Sequence, residues 1–280
     1  MSSADVFSFN VGSLQCMVIS DGIRHPVISS IPERFPGVDE KKLIQILQDR
    51  NPQSDTVEWS MNCLLIRSED HNLLVDTGIG IESGKLIPQL RDIMPLRDID
   101  SVLLTHGHPD HIGGLVDEKG ELTFPRAAYF MHDREWQHWM GPEGVIGGED
   151  DNYAALLRDT LLPIEDQITL LRTERELLPG IRTLDIFGHT PGHTGLRIES
   201  EGQTLLHLVD ALHVNAQLAQ PDWSPRFDVD PDQAARSRKR VLSLASGEGT
   251  PTLLYHVGFP GLARIHQEDE EYYLESWSGN

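Results

Sequence analysis

Four potential metal ligands fall within six residues, His106-Gly107-His108-Pro109-Asp110-His111, directly after the short apolar run 101–104. No other stretch restricts the fold so tightly. Imidazoles and a carboxylate crowded at the end of a buried strand cannot all point inward without a cation to neutralise them, because unpaired charge is costly to desolvate. Imidazole and carboxylate without thiolate suit Zn²⁺, and also Fe or Mn.

Three further segments carry the same chemistry. Gly188-His189-Thr190-Pro191-Gly192-His193-Thr194 sets two histidines around a Pro-Gly turn, and Asp210 ends the apolar run 205–209. His256 ends Leu253-Leu254-Tyr255 and precedes the tight turn Gly258-Phe259-Pro260-Gly261. Strand ends thus deliver His and Asp into loops at four widely separated places.

The periodicity between these loops predicts strands at 6–10, 15–20, 59–66, 72–75, 101–104, 127–131, 181–187, 196–199, 204–209 and 252–255. Helices are predicted at 40–48, 85–93, 133–140, 152–160 and 231–246, the last with Pro231 at its start and Gly247 just past its end. Strands alternating with helices imply an α/β protein of packed layers. No linker separates two domains, so 1–280 is expected to form one domain with a Pro-punctuated insertion at about 24–55.

The net charge of -21 argues against nucleic acid or an anionic membrane as partner, since both demand clustered Lys and Arg. Cys16 and Cys63, both in strand-like segments, read as reduced core thiols. The first 21 residues show no basic start followed by an apolar stretch, and no run approaches the roughly 18 apolar residues of a membrane span. A soluble, cytoplasmic protein is expected.

Taken together, the His-x-His-x-Asp-His block, the later Thr-Pro-Gly-His, an Asp ending a strand and a final His resemble the metallo-β-lactamase superfamily, over about residues 76–256. The resemblance implies a four-layer αβ/βα sandwich with two divalent metal ions, foremost Zn²⁺, at one edge between the sheets. Carried over residue by residue, His106, His108 and His193 hold the first metal. Asp110, His111 and His256 hold the second, and Asp210 bridges both. Asp76, in Asp76-Thr77-Gly78, matches a position that orients the loops from below. His189 is expected to support the site without binding metal, and His207 to be a satisfied sheet residue. His25, His71, His132, His138 and His266 are expected to be structural or solvated.

Such a set implies a hydrolase in which a hydroxide bridging two metals attacks a carbonyl or phosphoryl centre, with Asp110 passing the proton to the leaving group. No Gly-x-Ser-x-Gly is present, and no serine or cysteine nucleophile is needed. Within the superfamily, His108 to Gly114, Phe124-Pro125 with Glu135-Trp136 and Trp139, and Asp210-Ala211-Leu212-His213 resemble the branch of methyl parathion hydrolase and related lactonases and arylesterases. Gln220-Pro221-Asp222-Trp223, Phe227 to Pro231 and Phe259-Pro260-Gly261 add to that likeness. Where N-acyl-homoserine lactonases commonly carry Tyr, three residues after the bridging Asp, this chain has His213. Trp136, Trp139, Trp223 and Phe259 are candidates for an apolar mouth.

The expected substrate is a small uncharged lactone or ester, with promiscuous phosphotriester cleavage. A glyoxalase II-like thioester hydrolase shares all seven ligands, and a persulfide dioxygenase uses a similar His set with one iron. Homodimerisation is implied by the family alone. A zinc-stabilised binding protein is the weakest reading, because structural sites are closed whereas this set leaves room for water.

Overall fold

A computed structural model describes residues 5–141 and 151–279. The first half of the chain builds a sheet of β1 (Val6–Val11), β2 (Leu14–Arg24), β3 (Trp59–Arg67), β4 (Asn72–Val75), β5 (Ser101–Leu103), β6 (Ala128–His132) and β7 (Ile168–Leu171), hydrogen-bonded in that order. The second half builds β8 (Glu176–Leu178), β9 (Ile181–Asp185), β10 (Thr194–Ser200), β11 (Gln203–Val209), β12 (Pro251–Leu254), β13 (Leu262–Glu268) and β14 (Glu271–Ser276). These pair in strict sequence across the second sheet.

Most neighbours are antiparallel, but β4 to β7 run parallel, as do β11 and β12. A parallel pair needs a crossover. Leu86–Ile93 supplies one between β4 and β5, Asp133–Met140 and Asp151–Leu161 another between β6 and β7, and Pro231–Glu248 a third between β11 and β12.

The period-2 alternation of the strands sorts side chains to two faces. On β2 and β3, Cys16, Val18, Leu64 and Ile66 face the second sheet and meet Ile181, Leu196, Ile198, Leu205 and Leu253. Ile19, Cys63 and Leu65 face the other way and pack under Leu86, Leu90, Trp136, Trp139, Leu157 and Leu161. The outer face of the second sheet, with Leu206, Leu208 and Ile265, is covered by Val241, Leu242 and Ala245 of the long helix. Helix, sheet, sheet, helix is the four-layer α/β sandwich expected, and each fully buried Leu or Ile in it contributes about 2 kcal/mol of transfer free energy. Cys16 and Cys63 sit on opposite faces of one sheet, so they cannot meet, and both are free thiols. Burial pushes the Cys16 thiol up to about 12 and that of Cys63 well above its ordinary value.

Two expectations need correction. The long helix does not stop before Gly247 but runs through it to Glu248, and Gly249 caps it at φ 59°. A left-handed cap favours glycine, and the cap falls at 249, so Gly247 is an ordinary helical position. The strands β7, β8, β13 and β14 were not foreseen. In β13 and β14 the exposed charged residues mask the alternation, and the acidic run 268–271 proves to be the hairpin turn, with Glu268 opposite Glu271.

The 24–55 segment carries its own small core. Ile28, Ile31, Phe35, Leu43 and Leu47 close against Val214 and Ala216, a few residues beyond Asp210. Its helix Glu40–Arg50 is capped by Asp39, whose carboxylate accepts the Lys42 N–H at 3.0 Å. Among the described residues, no helix is long and apolar enough to cross a membrane.

Candidate metal centre

All four predicted loops open at the same end of the sandwich. His106 to His111 follow β5, His193 immediately precedes β10, Asp210 follows β11 and His256 lies just beyond β12. Two non-glycine residues at these strand ends are left-handed, Asp76 at φ 64° and Val209 at φ 47°. For a β-branched residue that conformation costs about 1–3 kcal/mol and is kept only where its surroundings impose it. Next to Val209 the β11–β12 register slips, and Asp210 leaves the ladder and turns into the site.

Asp76 works from beneath, as expected. Its carboxylate accepts the Thr105 N–H and the Thr105 hydroxyl, both at 2.8 Å, and pairs with His111 Nδ1 at 2.7 Å. Two more rings are also held from behind. His256 Nδ1 faces the Ser60 carbonyl at 2.9 Å, and His193 Nδ1 faces that of Ile186 at 3.0 Å. A ring whose far nitrogen donates outward keeps the lone pair of its other nitrogen for the site.

The near atoms converge on Asp210. Its Oδ2 lies 3.0 Å from His256 Nε2, 3.3 Å from His213 Nε2, 3.5 Å from His189 Nε2 and 3.9 Å from His106 Nε2. Its Oδ1 lies 3.3 Å from His111 Nε2, and both of these atoms are buried without a hydrogen-bond partner. Asp110 Oδ2 lies 3.5 Å from His256 Nε2 and 3.9 Å from His111 Nε2.

Potential ligand atoms gather into three overlapping groups: His106, His108, His189 and Asp210; Asp110, His111 and His256; and Asp210, His213 and His256. Six of the seven residues expected to bind metal are among them. His193 is adjacent, its ring 5.1 Å from that of His106, but its Nε2 accepts the Asp210 N–H at 3.3 Å. Orphaned buried lone pairs in a dense set of N and O donors fit divalent cations.

For three of the rings the electrostatics favour the neutral form. Burial, with repulsion from neighbouring imidazoles, holds His106 and His108 well below the ordinary histidine range, and burial first of all takes His193 down to about 3. Neutral imidazole is the metal-binding form. Burial also opposes the charged forms of His111 and Asp210, but attraction within the cluster outweighs it, raising His111 and lowering Asp210.

His189, expected to be supporting, reaches into the cluster, with its Nε2 3.0 Å from His108 Nδ1. Behind it, Nδ1 pairs with Asp228 Oδ1 at 2.9 Å, and Asp228 Oδ2 pairs with the buried Arg238 at 3.1 Å. This carboxylate-backed histidine is the arrangement typical of a ligand. Asp228→Asn is therefore expected to weaken metal binding about tenfold by loosening the ring and its tautomer. Competition against a chromogenic chelator measures it, and unchanged affinity would make His189 a packing residue.

Sequence reasoning noted Glu135 only as part of the Glu135-Trp136 likeness and gave it no role at the site. Fully buried on the helix Asp133–Met140, it accepts the Gly107 N–H at 2.8 Å and the Trp139 Nε1–H at 2.6 Å through Oε1. Through Oε2 it accepts the Gly192 N–H at 2.9 Å, so one carboxylate ties two histidine loops together. The signal lay in the glycines. A Cβ on Gly107 would stand 2.2 Å from Trp139 Nε1, and one on Gly192 2.5 Å from the Glu135 nitrogen.

A cavity of about 1230 Å³ opens over the cluster, lined by Asp110, Asp210, His108, His189, His213 and His256 together with Trp59 and Phe227. The expected aromatic mouth is elsewhere. Trp136 and Trp139 lie in the core beneath the helices, Trp223 packs on the insertion and Phe259 joins the inter-sheet core. His213 stacks on His256 with ring centroids 5.2 Å apart, and His25, expected to be merely structural or solvated, lines the cavity. His207 Nδ1 meets the Leu253 carbonyl at 3.2 Å inside the sheet.

Two packed sheets with helices outside and a His/Asp cluster on the loops at one end define a metal-binding protein of the αβ/βα sandwich class. Residues 57–256 match the metallo-beta-lactamase superfamily, and the chain belongs to it. It is 33% identical over 189 residues to metallo-beta-lactamase domain-containing protein 1 of Mus musculus, covering 64% of this chain and 60% of that one. The match thus spans less than two thirds of the mouse protein. To an N-acyl homoserine lactonase of Bacillus thuringiensis it is 24% identical over 212 residues, 66% of this chain and 76% of the other. Among solved structures, AidC, a dizinc quorum-quenching lactonase in complex with a product, superposes with a TM-score of 0.89 at 24% identity, covering 98% of this chain and 97% of its own. The hydrolase AbOPH superposes at 0.88 with 22% identity, over 99% of both chains.

Proposed function

We propose that this chain is a metal-dependent hydrolase that opens a small lactone or cleaves an ester, with promiscuous phosphotriester cleavage, and that it works as one domain. One observation carries the reading: a buried carboxylate, Asp210, faces imidazoles from separate loops at the floor of an open cavity. A structural metal site would be closed instead. His106, His108 and His193 would hold a first ion with His189 alongside, Asp110, His111 and His256 a second, and Asp210 would face both.

Two divalent ions, Zn²⁺ or else Fe or Mn, supply an acidified water as nucleophile and a Lewis acid for the substrate oxygen. Asp110 is the proton carrier to the leaving group. Its side chain reaches the cavity, and its backbone carbonyl accepts the Tyr255 hydroxyl at 2.6 Å, which fixes its place. His213, at the position where lactonases commonly carry Tyr, would donate to the substrate carbonyl. Trp59 and Phe227, edge to face with centroids 6.5 Å apart, wall the acyl or leaving group. The charge at the mouth, more than the total charge of the chain, governs what enters.

The test is metal content together with turnover of an acyl-homoserine lactone, an aryl ester, a phosphotriester and a glutathione thioester. Two metals per chain and lactone or ester turnover are expected, abolished by chelation and restored by Zn²⁺. Preference for the thioester would favour the glyoxalase II-like reading. One iron per chain with oxygen uptake on a persulfide would replace hydrolysis by the dioxygenase reaction.

A further inference from the structure

The cavity mouth is cationic in a chain whose total charge is -21. Apart from Asp110 and Asp210, which face the metal cluster, the charged lining consists of Arg24, Arg34 and Arg226, with His25 beside them. The protein holds 44 acidic side chains against 23 Lys and Arg, so a mouth drawn at random would carry more acid than base. Some arginines elsewhere pair with carboxylates, as Arg197 does with Glu248 at 2.8 Å and Arg238 with Asp228 at 3.1 Å, and others do not; what sets the mouth apart is three of them on one cavity wall. The three at the mouth form no ion pair among the described residues.

They are also gathered by the fold. Arg24 ends β2 opposite Trp59 in the ladder, and the Arg34 guanidinium lies 5.7 Å from the Trp59 ring centroid. The Arg226 N–H donates to the Arg34 carbonyl at 2.7 Å, and its guanidinium lies over Phe227. Trp59 in turn stands 5.4 Å from the His256 ring, so the guanidinium groups border the reacting centre across one aromatic wall. The Arg34 Nη1–H donates to the Ser30 carbonyl at 3.1 Å, which fixes that guanidinium beside Trp59 and leaves its remaining N–H groups for a planar or tetrahedral oxyanion.

Resting on the hydrolase reading above, we propose that the substrate is a lactone or ester whose non-reacting part carries an oxyanion, a carboxylate or a phosphate, bound by Arg24, Arg34 and Arg226. One water is consumed, the acyl C–O bond breaks, and a proton passes to the departing alkoxide while the arginines hold the unreacted anion.

The test compares metal-loaded enzyme on p-nitrophenyl hexanoate, on mono-p-nitrophenyl adipate, which adds a terminal carboxylate, and on the p-nitrophenyl ester bearing a terminal phosphate. The anionic esters are expected to lead in kcat/KM by about tenfold, mainly through KM, with the lead shrinking at about 0.5 M salt. The larger lead tells carboxylate from phosphate. In Arg24→Gln/Arg34→Gln/Arg226→Gln the ratio falls to about one, and in Arg24→Gln alone, at an exposed side chain, it falls about twofold. Neutral ester turned over with no anionic lead overturns this inference and leaves the hydrolase intact.

If neither these esters nor the lactone, phosphotriester and thioester of the panel react, the hydrolase reading fails, and calorimetry decides the anion site. Adipate or hexyl phosphate is expected to bind metal-loaded protein about tenfold more weakly in the triple variant. Equal binding by parent and variant would assign the anion to the metals and end the proposal.

Discussion

Asp210→Ala is expected to strip the centre of metal and to lower kcat/KM on the best substrate by about 10³-fold or more, the scale on which a Lewis acid stabilises developing charge. No other residue belongs to both the His106–His108–His189 group and the His213–His256 group, and its second oxygen faces His111. Removing it leaves a dense set of imidazoles with no central anion, and two cations brought together there would repel one another undiluted. Asp210→Asn keeps the shape and loses the charge, so it should recover little. Elemental analysis of the purified variant is the direct measurement, with a thermal melt to establish that the sandwich is intact. Two metals per chain in Asp210→Ala would remove the residue from the bridging role.

Glu135→Leu is expected to cost about 3–5 kcal/mol of folding stability, since three buried N–H donors lose their acceptor at once and each orphan costs about 1–3 kcal/mol. Metal affinity should fall about 10- to 100-fold as well, because the carboxylate holds the His106–His108 turn and the Pro191-Gly192-His193 turn in register. Glu135→Gln retains one acceptor oxygen but turns an amide donor toward a backbone N–H, so a smaller loss of about 1–2 kcal/mol is expected. Urea unfolding of the metal-free proteins separates the folding cost from the metal effect. A loss under about 1 kcal/mol in the leucine variant would mean that water replaces the carboxylate.

The parts of this site that could be read from the sequence are those in which chemistry is written locally. His106, His108, Asp110 and His111 announce a cation because they crowd into one turn, and Asp210 and His256 stand out because each ends an apolar run. Glu135 carries no such mark. A glutamate in the first turn of an amphipathic helix looks solvated, and only the approach of Gly107 and Gly192, distant in sequence, buries it. Asp228 and Arg238 behave alike: in a charged stretch they look like surface residues, yet they meet in the interior behind His189. The strands show the same division. β3, buried on both faces, is evident from composition, whereas β14 borders solvent at a sheet edge and its Glu and Ser positions hide the pattern. Trp59 escaped notice as a cavity wall because it opens a strand that otherwise reads as core.

The small apolar core of the 24–55 segment has a consequence for how such a molecule diversifies. The His and Asp side chains of the cluster hang from the two sheets, while Arg34 of the cavity rim comes from a stretch that closes on Ile28, Ile31, Phe35, Leu43 and Leu47. Substitutions along that stretch can change which molecules are admitted without touching the strands that hold the reacting groups. Tolerance of sequence drift is therefore uneven: selectivity can wander through gene duplication or deliberate grafting, while the His/Asp cluster stays where the sandwich put it.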